Sequence, residues 1–415
     1  MPPIDLLLLD IAIIVLAARL AGAALRRLGQ PPVIGEILAG ILLGPTLLGH
    51  VAGHRLFPAT VLPSLTTLAD VGLVLFMFVV GMELDQTLVR GRGRAAGGIT
   101  AGATIAPFAA GCALAVALAG QHAHGSRLVF VLFIGTAVAA TAFPVLARIL
   151  TDRGMQRTAL GGLALSSAAL IDVIAWTLLA IVVAMASAAD KNSWHLLLIP
   201  AYLLLMVLVV RPLLGRLVGA FERAGRLTSG MLSYVLIGLL ASAWATQWMQ
   251  IHFIFGAFLF GLLMPRSSEL IQQILERIQQ LATLLLLPIF FVVTGLTVNL
   301  STLPASSLGI LAGILAVSIG GKLIGGYAGA RFTGISHQDS AVLATLVNTR
   351  GLTEIVILTV GLQEHILDTE LYSLMIVMAL VTTAMTGPLL AWFQRRSRAD
   401  RDLRDPDPAA VGAAR

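Results

Sequence analysis

Phe78-Val-Val-Gly-Met-Glu-Leu-Asp85 returns at a constant offset of 214 residues as Val292-Val-Thr-Gly-Leu-Thr-Val-Asn299. Each copy closes a long apolar run, the third and the tenth of thirteen along the chain. Runs an odd number of crossings apart traverse a membrane in opposite directions, so the two copies describe an inverted repeat. Its halves are residues 4–186 and 228–393, joined by a linker span at 195–220. Inverted repeats with interrupted helices are an architecture of secondary transporters, with the substrate site near the bilayer midplane.

Composition agrees with that reading. Of 415 residues, 58% are hydrophobic and 12% charged, and the mean hydropathy is +0.93. Such a chain is an all-α polytopic membrane protein rather than a soluble enzyme or a nucleic-acid-binding domain. The expected spans are 4–26, 32–49, 62–85, 97–119, 127–150, 158–186, 195–220, 228–246, 251–265, 281–299, 304–331, 339–362 and 370–393. The run at 251–265 is the shortest, and Ser268–Gln280 reads as a polar surface helix. Counting alternate loops, 22 basic residues gather on one side and only Arg55, Arg127 and Lys191 on the other. Cytoplasmic loops carry the excess of Lys and Arg, so the amino end is expected outside and the carboxyl end in the cytoplasm, in a cell (inner) membrane. The start, Met-Pro-Pro-Ile-Asp, has no basic n-region, so the first run is expected to stay as a helix. Residues 1–393 are expected to form the transporter domain, and 394–415 a disordered cytoplasmic tail. The lone Cys112 excludes a disulfide framework. No cofactor motif is present, and His122-Ala-His124 reads as surface chance rather than a metal site.

Asp172 is the central feature. It stands alone in Ser166-Ser-Ala-Ala-Leu-Ile-Asp-Val-Ile-Ala-Trp176, within an apolar run from about Thr158 to Ala186. At ~1.5 Å per residue it lies roughly 21 Å from each end of that run. In a hydrocarbon core ~30 Å thick that is near the midplane, where an ionisable group marks an ion or proton pathway.

Three further features are expected at the same depth. Thr141-Ala-Phe-Pro144 interrupts the fifth span, because Pro144 lacks an N–H and its ring would leave the Ala140 carbonyl free beside the Thr141 hydroxyl. Asn348-Thr-Arg-Gly351 is the matching polar break in the twelfth span, with Glu354 one turn on and able to pair with Arg350. Lys322, flanked by glycines in Ser318-Ile-Gly-Gly-Lys-Leu-Ile-Gly-Gly326, needs a counter-charge, for which Asp172 is the obvious candidate. Bland alternatives stand beside these. Asp172 and Lys322 could form a structural ion pair, Pro144 an ordinary kink, and Arg350 with Glu354 a structural pair rather than a ligand set.

Gln30-Pro-Pro-Val-Ile-Gly-Glu-Ile-Leu-Ala-Gly-Ile-Leu-Leu-Gly-Pro45 resembles the second-span signature of the monovalent cation:proton antiporter-2 family. Ala69-Asp-Val-Gly-Leu, Gly81-Met-Glu-Leu84, Thr141-Ala-Phe-Pro-Val-Leu-Ala-Arg148 and Asn348-Thr-Arg-Gly-Leu-Thr-Glu354 are similar to other motifs of that family. The resemblance covers nearly the whole chain. It implies an inverted-repeat antiporter fold with two broken crossing helices, a homodimer, and a core domain moving elevator-like. It also implies a shared cation and proton site at Asp172 with Thr141 beside it, while Lys322 matches a core lysine of many members. One departure matters: the family usually places two polar residues in tandem where this chain has Ile171-Asp172.

Desolvation disfavours an ionised carboxylate, and a bound cation favours it. Na⁺, or failing that K⁺, is therefore expected to compete with H⁺ for one charge, and a single acid predicts one-for-one exchange. Proton release from Lys322 would make the cycle electrogenic instead. Rival readings are an organic anion carrier coupled to Na⁺ and a transport-inactive sensor. An intramembrane hydrolase would need a second acid or a His at depth, but Glu354 is taken by Arg350 and no His lies deep in a run.

Overall fold

The computed structural model describes residues 4–44, 46–47, 57–58, 60–83, 93–123, 125–155, 158–188, 198–249, 251–265, 268–301 and 304–404. Asp85 of the repeat, His124, tail residues 405–415, and the loop cations Arg55, Arg90, Arg92, Arg157, Lys191 and Arg266 lie outside them.

The regular secondary structure of the described residues is all helical, with no strand. In chain order the helices are α1 (Ile4–Arg27), α2 (Pro32–Leu43), α3 (Leu62–Glu83), α4 (Gly93–His122), α5 (Arg127–Ala139), α6 (Phe143–Asp152), α7 (Ala159–Ala188) and α8 (Ile199–Ala224). They continue with α9 (Ser229–Trp248), α10 (Phe253–Leu262), α11 (Ser268–Leu281), α12 (Leu287–Thr297), α13 (Ala305–Phe332), α14 (His337–Val347), α15 (Leu352–Gln363) and α16 (Thr369–Arg404). Ten helical stretches among the described residues are long and apolar enough to cross a membrane, and α14 with α15, bent by 42°, makes an eleventh. The other two runs of the sequence count fall on α2 and α10, apolar helices of 12 and 10 residues. The α16 helix continues past Phe393 to Arg404, where a disordered tail was expected. There the sequence sets Arg396 and Asp400, and Arg398 and Asp402, at the four-residue spacing that favours a helix.

Two helix groups follow from the packing. The first holds α1, α2, α3, α9, α10, α11 and α12; the second holds α4 to α7 and α13 to α16. Each draws on both halves of the repeat. The closest backbone packing between the groups is where α16 meets α2. Side chains add discrete links: Gln30 Nε2 donates to Ala384 O at 3.2 Å, and Trp176 packs on Phe258 with ring centres 6.1 Å apart.

Within the first group the repeat appears as two glycine contacts. The repeated glycines Gly81 and Gly295 pack against Gly261 of α10 and Gly40 of α2. A Cβ on Gly295 would lie 2.7 Å from Gly40 Cα, and one on Gly261 3.1 Å from Gly81 Cα. Small residues let membrane helices approach this closely. Gly295→Ala is expected to cost about 1–3 kcal/mol through overpacking, whereas Gly120→Ala, with open space around it, should be neutral or slightly stabilising. Thermal unfolding in detergent checks this; equal behaviour of the two variants would contradict it.

Prolines supply the other organising device. A proline in a helix removes the donor to the carbonyl four residues earlier. Pro288 frees Leu284 O, which takes Arg19 Nη2 at 3.2 Å, within a π-type turn over Ala282–Leu286. Pro388 frees Ala384 O, the acceptor of Gln30. Polar side chains of neighbouring helices thus plug backbone groups that lipid could not satisfy.

Candidate functional site

Two interrupted helices meet at the centre of the second group. The α5 helix ends where Ala140 turns extended (ψ 151), and α6 begins at Phe143, with Ala142 also extended. Pro144 therefore sits in the first turn of α6, downstream of the break, rather than kinking a continuous helix. The second break runs from Asn348 to Gly351, whose φ of 139° suits glycine. The two extended segments satisfy each other: Thr141 Oγ1 donates to Val347 O at 2.9 Å, and Ala142 N to Thr349 O at 3.0 Å.

Two cations close the carboxyl end of α5. Lys322 Nζ donates to Ala139 O at 2.6 Å, Thr141 Oγ1 at 2.7 Å and Ala103 O at 2.9 Å. The Ala103 carbonyl is the one that Pro107 frees inside α4, the same device seen at Pro288 and Pro388. Arg350 donates from Nη2 to Val138 O at 2.6 Å and from Nη1 to Ala137 O at 3.3 Å. Its Nη1 also meets Glu354 Oε1 at 2.7 Å. Both side chains are fully buried and sit at the negative end of a half-helix dipole.

The expected contact between Lys322 and Asp172 is not formed. The ammonium has three N–H groups, and Thr141 and the two carbonyls take one each. No Lys322–Asp172 pair comes within ion-pair distance. Arg350 occupies the Ala137 and Val138 carbonyls and Lys322 that of Ala139, which leaves them poorly placed to take a passing ion.

Asp172, fully buried, instead faces the amino end of α6. Its Oδ2 accepts from Phe143 N at 3.3 Å, and its Oδ1 has no partner. A carboxylate at a helix amino end is stabilised by the dipole and by the free N–H groups. Around the crossing, Asn348 Oδ1 and Nδ2, Thr349 Oγ1, Ser318 Oγ and Glu354 Oε2 are likewise buried without partners. Buried polar atoms are ordinarily paired, so a concentration of exceptions marks a place where an ion or water belongs. Ile171, also fully buried, belongs to the apolar cluster of Val347, Leu346 and Ala142 and supplies no polar atom. Among the described residues no three His, Cys, Asp or Glu converge as a metal cluster.

A cavity of about 560 Å³ includes Pro144, Val145 and Leu352, from the first turns of α6 and α15, in its wall. Elsewhere its lining carries Arg19, Arg26, Arg148, Glu36 and Glu83. Those charges lie in the loops and span ends that the sequence assigns to the arginine-rich face.

Sequence reasoning missed the sockets of Lys322 and Arg350. Part of the signal was present, since Pro107 lies four residues after Ala103. The C-terminal carbonyls of α5 became recognisable only once its end point was known.

Comparison with known proteins follows the same lines. A family model described as "Sodium/hydrogen exchanger, transmembrane" matches residues 12–395. The Na(+)/H(+) antiporter NhaS4 of Synechocystis sp. is 37% identical over 93% of this chain and 96% of that protein. Cation/H(+) antiporter 20 of Arabidopsis thaliana is 35% identical over 96% of the chain and 50% of the relative. K(+)/H(+) antiporter 1 of Saccharomyces cerevisiae is 31% identical over 93% and 46%. The chain thus spans about half the length of the plant and yeast relatives. In fold it is similar to the sodium proton antiporter MjNhaP1 of Methanocaldococcus jannaschii, with a TM-score of 0.67 at 14% identity over 94% of this chain and 97% of that one.

Proposed function

We propose, on the premise that this chain belongs to the sodium/hydrogen exchanger family, that it exchanges a monovalent cation for protons across a membrane at Asp172. The observation that carries this reading is the fully buried Asp172 carboxylate with one oxygen unpartnered. It lies beside a crossing where Asn348 also offers an unpartnered oxygen. A cation and a proton neutralise the same charge, so they exclude one another. If only the neutralised site crosses the apolar barrier, exchange is obligatory and leak is suppressed.

Asn348 takes the place of the polar residue that Ile171 does not provide. Its amide oxygen adds a neutral ligand, so the site carries one negative charge rather than two. Lys322 stays out of the proton count, because its three N–H groups are committed to Ala103 O, Ala139 O and Thr141 Oγ1. One exchangeable charge gives one cation for one proton and an electroneutral cycle. Na⁺ is the preferred substrate and K⁺ the alternative.

The second helix group is the moving body of an elevator cycle and the first its frame, a division that follows the closer backbone packing within each group than between them. Thirteen spans result when the bent pair and the short α2 and α10 are counted with the ten long stretches. The arginine-rich face is then cytoplasmic, the chain sits in the cell membrane, and it works as a homodimer in the bilayer.

Purified protein in liposomes with an internal pH dye tests the reading with Na⁺, K⁺ and Li⁺ pulses at several pH values. Cation-dependent proton flux is expected, and its absence with every cation would sink the antiport. The rate should also be unchanged when a membrane potential is imposed with valinomycin, using Na⁺ as the exchanged ion. A clear voltage response would rule out the electroneutral cycle.

A further inference from the structure

The two halves of α3 have different surroundings. Glu83 at its carboxyl end lines the arginine-bearing cavity. Asp70 is thirteen residues earlier, roughly 20 Å away along the helix, and it sits in a separate polar cluster.

Three side chains from three elements make up that cluster. His252, at the amino cap of α10, is buried, and its Nε2 lies 2.7 Å from Gln363 Oε1. An amide oxygen only accepts, so His252 is the donor. Asp70 of α3 lies beside the same Gln363 side chain. Asp70 and His252 belong to the first helix group. Gln363 ends α15 in the second, and α15 begins directly after the Gly351 break. Nearby, the groups meet again where Thr297 Oγ1 donates to Tyr372 OH at 3.4 Å and Asn299 N to Ser373 Oγ at 3.3 Å. A displacement of the crossing helices relative to the first group would carry Gln363 away from His252 and Asp70.

We propose that His252 and Gln363, with Asp70 beside them, form a clasp holding the two helix groups together at the mouth remote from the arginine-lined cavity. The site becomes accessible from that mouth only when the clasp opens. This rests on the alternating-access reading above, but its test does not need ion flux. Breaking the clasp shifts the population toward the state open at the clasp side, and accessibility from the two faces must then change in opposite directions.

The experiment uses full-length protein with the single cysteine removed (Cys112→Ala) and Asn348→Cys as reporter. A membrane-impermeant thiol reagent is applied to one face at a time, in right-side-out and everted vesicles. Adding Gln363→Ala is expected to speed labelling from the clasp side about tenfold and to slow it from the cavity side. His252→Phe, which keeps a ring against Phe253 (centres 4.2 Å apart) but loses the donor, should shift both rates in the same senses by a smaller factor. It also serves if Gln363→Ala fails to fold. Rates unchanged at both faces, or moving together, would overturn the clasp. Opposite shifts, together with an absence of cation-dependent flux in the parent protein that keeps Asn348, would support the clasp and sink the antiport instead.

Discussion

Asp172→Asn is expected to abolish cation-dependent dissipation of a pH gradient in everted vesicles while leaving the protein folded. A unit charge about 4 Å from a bound cation, at an effective dielectric near 20, contributes about 4 kcal/mol. Its removal therefore weakens binding on the order of 10³-fold. The substitution also deletes the one carboxyl at the crossing, among the described residues, that is not held in an ion pair, so proton coupling goes with it. Asparagine is close in shape and can keep the bond from Phe143 N, and a buried charge is expensive to maintain. Expression and thermal unfolding should therefore match the parent protein or exceed it. Dissipation that persists unchanged in the variant would refute a one-acid mechanism at this residue.

Lys322→Ala should produce the opposite pattern, a large loss of stability with loss of transport as its consequence. Three acceptors, Ala103 O, Ala139 O and Thr141 Oγ1, lose their donor at once. Each unsatisfied buried group costs about 1–3 kcal/mol, and water reaching the void would recover part of that. The Thr141 hydroxyl also holds Val347 O, so the second break loosens with the first. A fall in melting temperature of at least ~5 °C in detergent is expected. Lys322→Gln, which keeps donors of shorter reach, should lose less. If Lys322 instead delivered a proton to the cycle, Lys322→Gln would keep its stability and alter only the coupling ratio; that combination would overturn the structural role assigned to it.

The contrast between these two residues shows where sequence reading stops. Asp172 was identified as the central acid because a single carboxylate in a long apolar run violates a local rule, and the violation is visible without any neighbour. Lys322 violates the same rule, but its resolution lies elsewhere. The electrostatic guess paired it with Asp172, the nearest opposite charge in kind. In the folded chain backbone carbonyls outcompete the carboxylate, because Pro107 and the end of α5 leave acceptors within 3 Å of the ammonium. The bond to Ala139 spans 183 residues of sequence. The histidines make the same point. His122 ends α4 and His252 caps α10, yet both are only 4% exposed. Asp368 Oδ2 lies 2.6 Å from His122 Nδ1, and Gln363 Oε1 accepts a hydrogen bond from His252 Nε2.

By itself the sequence determined the membrane class, the order of the apolar runs, the repeat across 214 residues, the polar segments at the two breaks and the isolation of Asp172. These are one-dimensional properties: desolvation sets how many apolar residues must run together, and glycine or proline sets where a helix opens. The tertiary structure decided that Pro144 follows its break instead of causing a kink, and that Lys322 and Arg350 cap α5. It also decided that Asn348 and Asp172 keep oxygens without partners, and that Gln363 ties the two helix groups together. Hydrogen bonding acts over about 3 Å and depends on direction. Partners are therefore chosen only after packing has brought distant helices into register, which no spacing along the chain encodes.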